Sequence, residues 1–111
     1  MVGIVIVSHS KNLADSVVEF TGLMAPDAKI AAAGGMEDGG YSEEGVIVLM
    51  DMGSAVMTTE MVLDMFEPDT VKMADCPLVE GAVVATIDAA SGMKMDEILA
   101  ALSQVAGTPK F

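Results

Sequence analysis

The sequence predicts an α/β fold in which helices cover both faces of a mostly parallel sheet. Two runs, residues 2–7 and 45–50, are apolar nearly throughout and rich in β-branched residues, without the alternation of a half-exposed strand. Such runs are typical of strands buried on both faces. Segments with a helical spacing of apolar residues alternate with the strands. This alternation indicates parallel strands joined by crossover helices, which gives three layers, α/β/α.

The elements follow one another along the chain with recognisable ends. Strands are predicted at residues 3–8, 29–33, 45–50 and 71–74, and helices at residues 11–24, 55–66, 78–90 and 95–105. Ser10 suits the N-cap of the first helix, and Pro26, Pro68 and Gly92 close the helices before them. The predicted apolar face of the first helix is Leu13, Val17, Phe20 and Met24.

The connection between the second and third strands, residues 34–44, does not fit this pattern. A parallel crossover needs a dozen or more residues, usually with a helix. This segment has eleven residues, four of them glycine, and no apolar periodicity. Either the second strand is a short edge strand with an unusual return, or the printed sequence omits a loop and helix near Gly40 and Tyr41. We favour the omission, and an intact mass equal to 11.4 kDa would exclude it.

Composition narrows the class of protein. A chain of 111 residues forms one domain, residues 1–111, with room for a hydrophobic core. Its apolar runs are much shorter than the roughly 20 residues that cross a bilayer. No basic segment precedes the first strand, so we expect a cytoplasmic protein with no membrane partner. The net charge of −12, from 17 acidic and 5 basic residues, makes nucleic acid a poor partner.

The sulfur-containing residues predict neither a disulfide nor a metal site. Cys76 is the only cysteine, so it has no partner within the chain, and one thiol with one histidine makes no zinc site. The eleven methionines are spread over predicted helices and strands, where filling of the core is their expected role.

His9, the only histidine, stands where the first strand ends and the first helix begins. Ligands of open α/β sheets bind at this carboxyl edge, and histidine is the side chain most easily charged near neutral pH. Asp51 follows the third predicted strand, from which a carboxylate can hold one imidazole nitrogen and leave the other as a nucleophile. We therefore predict that His9 and Asp51 are the catalytic pair of a phosphoryl-acceptor site.

Small residues near the same edge are candidates for phosphate binding. Backbone N–H groups at glycines and near a helix start form a nest for an anion. The predicted phosphate-binding residues are Ser8, Ser10, Gly34, Gly35, Gly53 and Ser54. Spacing alone leaves other roles open: His9 as a half-exposed loop residue, Asp51 or Ser54 as a helix N-cap, and the glycines as plain turns. The chain has no Walker loop, dinucleotide fingerprint or nucleophile elbow, so no nucleotide site is evident.

Two motifs carry a family resemblance. Gly-Ile-Val-Ile-Val-Ser-His-Ser-Lys at residues 3–11 and Asp-Met-Gly-Ser-Ala at residues 51–55 resemble the phosphotransfer subunit of bacterial dihydroxyacetone kinase, which is similar to mannose-family EIIA domains of the phosphoenolpyruvate sugar phosphotransferase system. Further matching stretches lie at residues 24–26, 30–35, 37–39 and 77–82. The resemblance implies an α/β sandwich with a mostly parallel sheet of four or five strands, generally as a homodimer. The family also has a loop and helix in the connection that is too short here.

The resemblance assigns roles to the predicted pair. His9 matches the phosphorylated histidine, which would take a phosphoryl group from the phosphocarrier protein HPr and pass it to ADP on the nucleotide-binding kinase subunit. The ATP formed there would phosphorylate dihydroxyacetone, also called glycerone. Asp51 matches the aspartate that hydrogen-bonds the active histidine. The resemblance implies no cofactor bound by this chain, since ADP and ATP stay on the partner subunit.

Two other functions stay open at this point. A mannose-type sugar EIIA domain would pass the phosphoryl group to an EIIB domain, although the Asp-x-Gly-Ser-Ala form at residues 51–55 favours the kinase subunit. A non-catalytic partner-binding domain, with His9 a bystander, is the alternative from another class. Following labelled phosphate to each acceptor separates the three.

Overall fold

A computed structural model describes residues 1–32, 45–52 and 71–111, and these residues form a four-stranded parallel sheet with helices packed on it. The strands lie in the order β2-β1-β3-β4. Their bounds are β1 Gly3–Val7, β2 Lys29–Ala32, β3 Val46–Met50 and β4 Val71–Ala74. The helices are α1 Lys11–Met24, α2 Leu78–Ala90 and α3 Met95–Leu102. The predicted α/β class with a mostly parallel sheet is confirmed.

Most predicted element bounds are confirmed within a residue. The strand at residues 71–74 and the helices at residues 11–24 and 78–90 have the predicted bounds. Gly92, with φ of 88°, follows the C-cap of α2, a backbone conformation that favours glycine. The last helix was predicted to reach residue 105 but ends at Leu102, and turns follow it. The predicted helix at residues 55–66 lies outside the described residues.

The predicted apolar face of α1 is wrong in part. Of its four residues only Val17 is buried, whereas the side chains of Leu13, Phe20 and Met24 are 39%, 42% and 46% exposed. The face that packs inward is Ala14, Val17 and Thr21. Small residues allow the helix to approach the sheet closely, and the Thr21 hydroxyl is satisfied by donating to the Val17 carbonyl oxygen at 2.9 Å.

The main core lies between the sheet and the face formed by α1, α2 and α3. In the register of β1 and β3, Ile4 lies beside Ile47 and Ile6 beside Leu49, and all four are fully buried. Buried alanines of α2 pack in the same cluster as these four side chains, and so do Ile98 and Leu102 of α3. The alanines are Ala82, Ala85 and Ala89.

β2 is an edge strand of four residues and pairs with β1. The chain must therefore pass from β2 across β1 to reach β3. Residues 33–44 of this connection lie outside the described residues, as does the place near Gly40 and Tyr41 where the sequence predicts an omission. Within the described ranges, no helix is both long enough and apolar enough to cross a membrane.

The parallel register sets the position of the site. The last register pair of β1 and β3 is Val7 with Met50. The next residues along the two strands, Ser8 and Asp51, therefore leave the sheet side by side at its carboxyl edge. His9 follows at once, before α1 begins at Lys11.

Candidate active site

Ser8 and Asp51 make the shortest side-chain contact at this edge. The Ser8 hydroxyl donates to Oδ2 of Asp51 at 2.6 Å, across the two adjacent strands. The same hydroxyl oxygen accepts the backbone N–H of Ser10 at 3.0 Å. Ser8 thus links the start of α1 to the carboxylate that follows β3.

Asp51 contacts His9 through both of its carboxylate oxygens. Oδ2 accepts the His9 backbone N–H at 3.0 Å, and Oδ1 lies 3.0 Å from Nδ1 of the His9 ring. An ionised carboxylate can only accept, so this pairing assigns a proton to Nδ1. The Asp51 side chain is 14% exposed and the His9 side chain 43% exposed, which leaves the ring accessible from solvent.

The surroundings of Asp51 keep its carboxylate ionised. The hydrogen bond from Ser8 lowers the pKa of Asp51 most, burial opposes it, and the hydrogen bonds and charge of His9 lower it further. The pKa of Asp51 therefore lies well below the ordinary range of an aspartate. The site holds a fixed negative charge beside the Nδ1 edge of the imidazole at any pH near neutral.

Ser10 is the N-cap of α1, as predicted. Its backbone is extended, and its hydroxyl oxygen accepts the Leu13 N–H at 3.2 Å. A helix starting directly after His9 places the positive end of its dipole beside the ring. That arrangement favours an anion near His9.

A cleft of about 460 Å³ opens beside Asp51 at the ends of β3 and β4. Its lining combines thioether, thiol and carboxylate groups from Met50, Asp51, Met52, Met73, Ala74, Asp75 and Cys76. Burial, with a smaller contribution from the charge of Asp75, raises the pKa of the Cys76 thiol. The thiol is therefore neutral near pH 7, and Cys76 lines the cleft without acting as a nucleophile.

The structure brings together four of the predicted site residues, Ser8, His9, Ser10 and Asp51. The other predicted residues, Gly34, Gly35, Gly53 and Ser54, lie outside the described residues. Sequence reasoning missed the contact between Ser8 and Asp51, and the signal that could have found it is that each residue directly follows a strand of the same parallel pair. Across residues 1–32, 45–52 and 71–111, no group of three or more histidine, cysteine or acidic side chains is placed to hold a metal ion.

Solved structures of related fold cover nearly the whole chain. A crystal structure of a protein of unknown function superposes with a TM-score of 0.80 at 29% identity, covering 99% of this chain and 98% of the other. The phosphotransferase system component EIIA from Streptococcus agalactiae superposes with a TM-score of 0.71 at 16% identity, covering 100% of this chain and 98% of that one. The second likeness shows that the fold is that of an EIIA domain.

Curated relatives share sequence as well as fold. The phosphoryl donor subunit DhaM of the PEP-dependent dihydroxyacetone kinase of Providencia stuartii is 36% identical over 89% of this chain and 25% of its own length. This chain thus spans about a quarter of that relative. A DhaM subunit of Listeria innocua, named for PEP-dependent dihydroxyacetone kinase 1, is 33% identical over 86% of this chain and 84% of its own length.

The family model described as PTS system fructose IIA component, of the mannose-type EIIA class, matches residues 3–43 and 40–102. The two matches overlap at residues 40–43. The alignment with the Providencia relative runs over 121 positions, which is more than the 111 residues of this chain. That relative therefore has residues without a counterpart here, and the predicted omission stays a prediction for the intact mass to test. The chain belongs to the mannose-type EIIA family, in the group that includes the DhaM phosphoryl donor subunits of PEP-dependent dihydroxyacetone kinase.

Proposed function

We propose that this chain is the phosphohistidine carrier of a PEP-dependent dihydroxyacetone (glycerone) kinase, and thus a phosphotransferase subunit. His9 accepts a phosphoryl group from phospho-HPr and passes it to ADP bound on the nucleotide-binding kinase subunit. The observation that carries the proposal is the 3.0 Å contact between Asp51 Oδ1 and His9 Nδ1 at the carboxyl edge of the sheet. The DhaM relatives at 33–36% identity, which are named as subunits of PEP-dependent dihydroxyacetone kinases, support the choice of kinase.

The geometry favours Nε2 of His9 as the nucleophile. Asp51 holds the proton on Nδ1, so the ring lone pair that attacks phosphorus is on Nε2. In the accepting step the N–P bond of the donor histidine breaks and the Nε2–P bond forms, while the Nδ1 proton stays in its hydrogen bond. The ring gains positive charge, and the ionised Asp51 stabilises it. In the second step the Nε2–P bond breaks as an oxygen of the ADP β-phosphate attacks.

Main-chain groups near the ring would hold the phosphoryl oxygens. The proposal retains the six predicted residues Ser8, Ser10, Gly34, Gly35, Gly53 and Ser54 for this role. The Ser8 hydroxyl and the Ser10 N–H already donate within the protein. Donation by Ser8 and Ser10 to phosphate would therefore need an exchange of hydrogen bonds, whereas Gly34, Gly35, Gly53 and Ser54 carry the main part of the proposal. The amino end of α1 adds a favourable dipole.

The proposed partners are proteins. They are HPr, the ADP-binding kinase subunit and a second copy of this chain in a homodimer, in the cytoplasm. No cofactor is assigned to this chain, because ADP and ATP belong to the partner subunit. The net charge of −12 suits encounter with basic protein surfaces and disfavours nucleic acid.

The experiment that tests the proposal follows labelled phosphate from PEP through enzyme I and HPr to this chain. Wild type is expected to carry an acid-labile label, and His9→Ala none. The control variant is Asp27→Asn, at an exposed carboxylate between α1 and β2 at the opposite edge of the sheet, which is expected to be labelled as wild type is.

A second stage of the experiment identifies the acceptor. Labelled protein is mixed either with the ADP-loaded kinase subunit or with an EIIB domain. Loss of label to form ATP supports the kinase role, and transfer only to EIIB makes the protein a sugar EIIA domain. A His9→Ala protein that still takes up phosphate would refute the assignment of the site.

A further inference from the structure

We propose that Ser8 is a positioning residue for phosphoryl transfer, because its hydroxyl holds the Asp51 carboxylate in the orientation that clamps the His9 ring. The inference rests on the proposed function of His9. It gives Ser8 a role distinct from the phosphate binding that the sequence predicts. Ser8 and His9 both donate to the Asp51 carboxylate, and Ser10 donates to the Ser8 hydroxyl oxygen.

The Ser8 hydroxyl has a fixed direction. Its oxygen accepts the Ser10 N–H at 3.0 Å, and its single hydrogen points to Asp51 Oδ2 at 2.6 Å. A hydroxyl has one hydrogen to donate, so donating to Asp51 excludes donating to a phosphoryl oxygen at the same time. The Ser10 N–H is itself anchored, since Ser10 is the N-cap of α1. The start of the helix therefore braces the hydroxyl against the carboxylate.

This bracing fixes the plane of the carboxylate. Oδ2 of Asp51 accepts two donors, the Ser8 hydroxyl and the His9 backbone N–H. Two donors at one oxygen oppose rotation of the carboxylate about its last bond, a torsion that is otherwise broad. The other oxygen, Oδ1, is then directed at His9 Nδ1. With Ser8 removed, the His9 backbone N–H is the one donor to Oδ2 that remains among the described residues, and Oδ1 can turn away from the ring.

The same hydrogen bond favours the charged form of Asp51. Ser8 is the largest single cause of the lowered pKa of Asp51, ahead of each contribution from His9. A carboxylate that stays ionised can stabilise the ring when it becomes positive on phosphorylation. Ser8 therefore acts on the transfer step through its hydrogen bond to Asp51.

The test compares three variants of the full chain in the phosphotransfer assay from PEP, enzyme I and HPr. Ser8→Ala removes the hydroxyl, and Ser8→Thr retains it. Ser91→Ala is the matched control: it removes a serine hydroxyl that donates to the Ile87 carbonyl oxygen at the far end of α2. For Ser8→Ala we expect kcat to fall roughly tenfold with KM for phospho-HPr within about twofold of wild type, the loss expected for one charge-assisted hydrogen bond. Ser8→Thr and Ser91→Ala are expected to match wild type.

A second measurement separates positioning from general damage to the fold. The carboxyl carbon of Asp51 is followed by NMR as pH is lowered. In wild type and Ser8→Thr it is expected to titrate well below the ordinary aspartate range, and in Ser8→Ala to move up toward that range. An unchanged kcat in Ser8→Ala, an unchanged Asp51 titration, or a Ser8→Thr variant as slow as Ser8→Ala would overturn the inference.

Failure of the proposed function gives a different result. In that case wild type itself accepts no phosphoryl group, and the role of Ser8 in transfer falls with it, whatever the titration of Asp51 shows. Normal labelling of wild type with no effect of Ser8→Ala refutes only the inference about Ser8.

Discussion

The carboxylate of Asp51 contacts His9 twice, once at the ring and once at the backbone. Oδ1 lies 3.0 Å from Nδ1, and Oδ2 accepts the His9 N–H at 3.0 Å. The hydrogen bond to the backbone N–H positions the main chain of His9, and the contact with Nδ1 orients its imidazole ring. The Asp51 carboxylate thereby contributes both to the position and to the tautomer of His9, the only histidine in the chain.

Replacement of Asp51 by asparagine should slow phosphoryl transfer without abolishing it. The amide oxygen of Asp51→Asn can still accept from Nδ1, but it carries no charge to stabilise the phosphorylated ring. We expect a rate of labelling by phospho-HPr roughly ten- to a hundredfold lower, in the range of a lost charge-assisted interaction. Rapid-quench labelling measures the rate, with Asp27→Asn as the charge-matched control. A variant as fast as wild type would remove Asp51 from the mechanism.

The contribution of Asp51 to stability should disappear in acid. Its pKa is lowered in the folded protein, so its contribution is complete above the unfolded value of about 4 and is lost as pH falls toward the lower folded value. The advantage of wild type over Asp51→Asn in free energy of unfolding should shrink as pH falls below about 4. Denaturant titrations at several pH values measure it. An advantage that grows in acid would contradict the assigned shift.

Cys76 should react slowly with alkylating reagents in the folded protein. Burial, and to a lesser extent the charge of Asp75, raises the pKa of its thiol, and only the thiolate is nucleophilic. At about pH 8, near the ordinary cysteine pKa, alkylation should be much slower in the native than in the unfolded chain. Asp75→Asn should speed the native reaction slightly, because burial remains the larger cause. Equal native and unfolded rates, followed by mass spectrometry, would show that the thiol is not shielded.

Two helical glycines should respond in opposite ways to alanine. A Cβ at Gly81 of α2 would overlap Sγ of Cys76, whereas a Cβ at Gly22 of α1 meets no atom of the described residues within 4 Å. Gly22→Ala should therefore stabilise by about 0.5–1 kcal/mol through helix propensity. Gly81→Ala should destabilise by about 1–3 kcal/mol through overpacking. Urea unfolding tests the pair, and a stabilised Gly81→Ala would mean that the Cys76 side chain moves aside freely.

The sequence predicts the architecture well because its strands and helices have distinct patterns. Runs without alternation at residues 2–7 and 45–50 are typical of buried strands of a parallel sheet, and they indicate both the class and the edge at which His9 and Asp51 meet. The inward face of α1 is harder to predict from sequence, because Ala14 and Thr21 are only weakly apolar. The more strongly apolar Leu13 and Phe20 are exposed instead. Close helix packing selects small residues, and hydropathy does not register that preference.

The contact between Ser8 and Asp51 is harder to predict than the strands, because it depends on register. The sequence places serine and aspartate after two separate strands, but only the pairing of Val7 with Met50 makes them neighbours. From sequence alone, a serine hydroxyl near a phosphoryl site is equally compatible with a hydrogen bond to phosphate and a hydrogen bond to a carboxylate. The direction of its one hydrogen, toward Asp51 Oδ2, distinguishes the two.

The most direct test of the account is to map the phosphoryl group that wild type receives from phospho-HPr. Phosphorus and nitrogen NMR of the labelled protein identify both the residue and the ring nitrogen. The account predicts a single phosphohistidine at His9 with phosphorus on Nε2 and the proton retained on Nδ1 beside Asp51. Phosphorus on Nδ1, or on any residue other than His9, would contradict it.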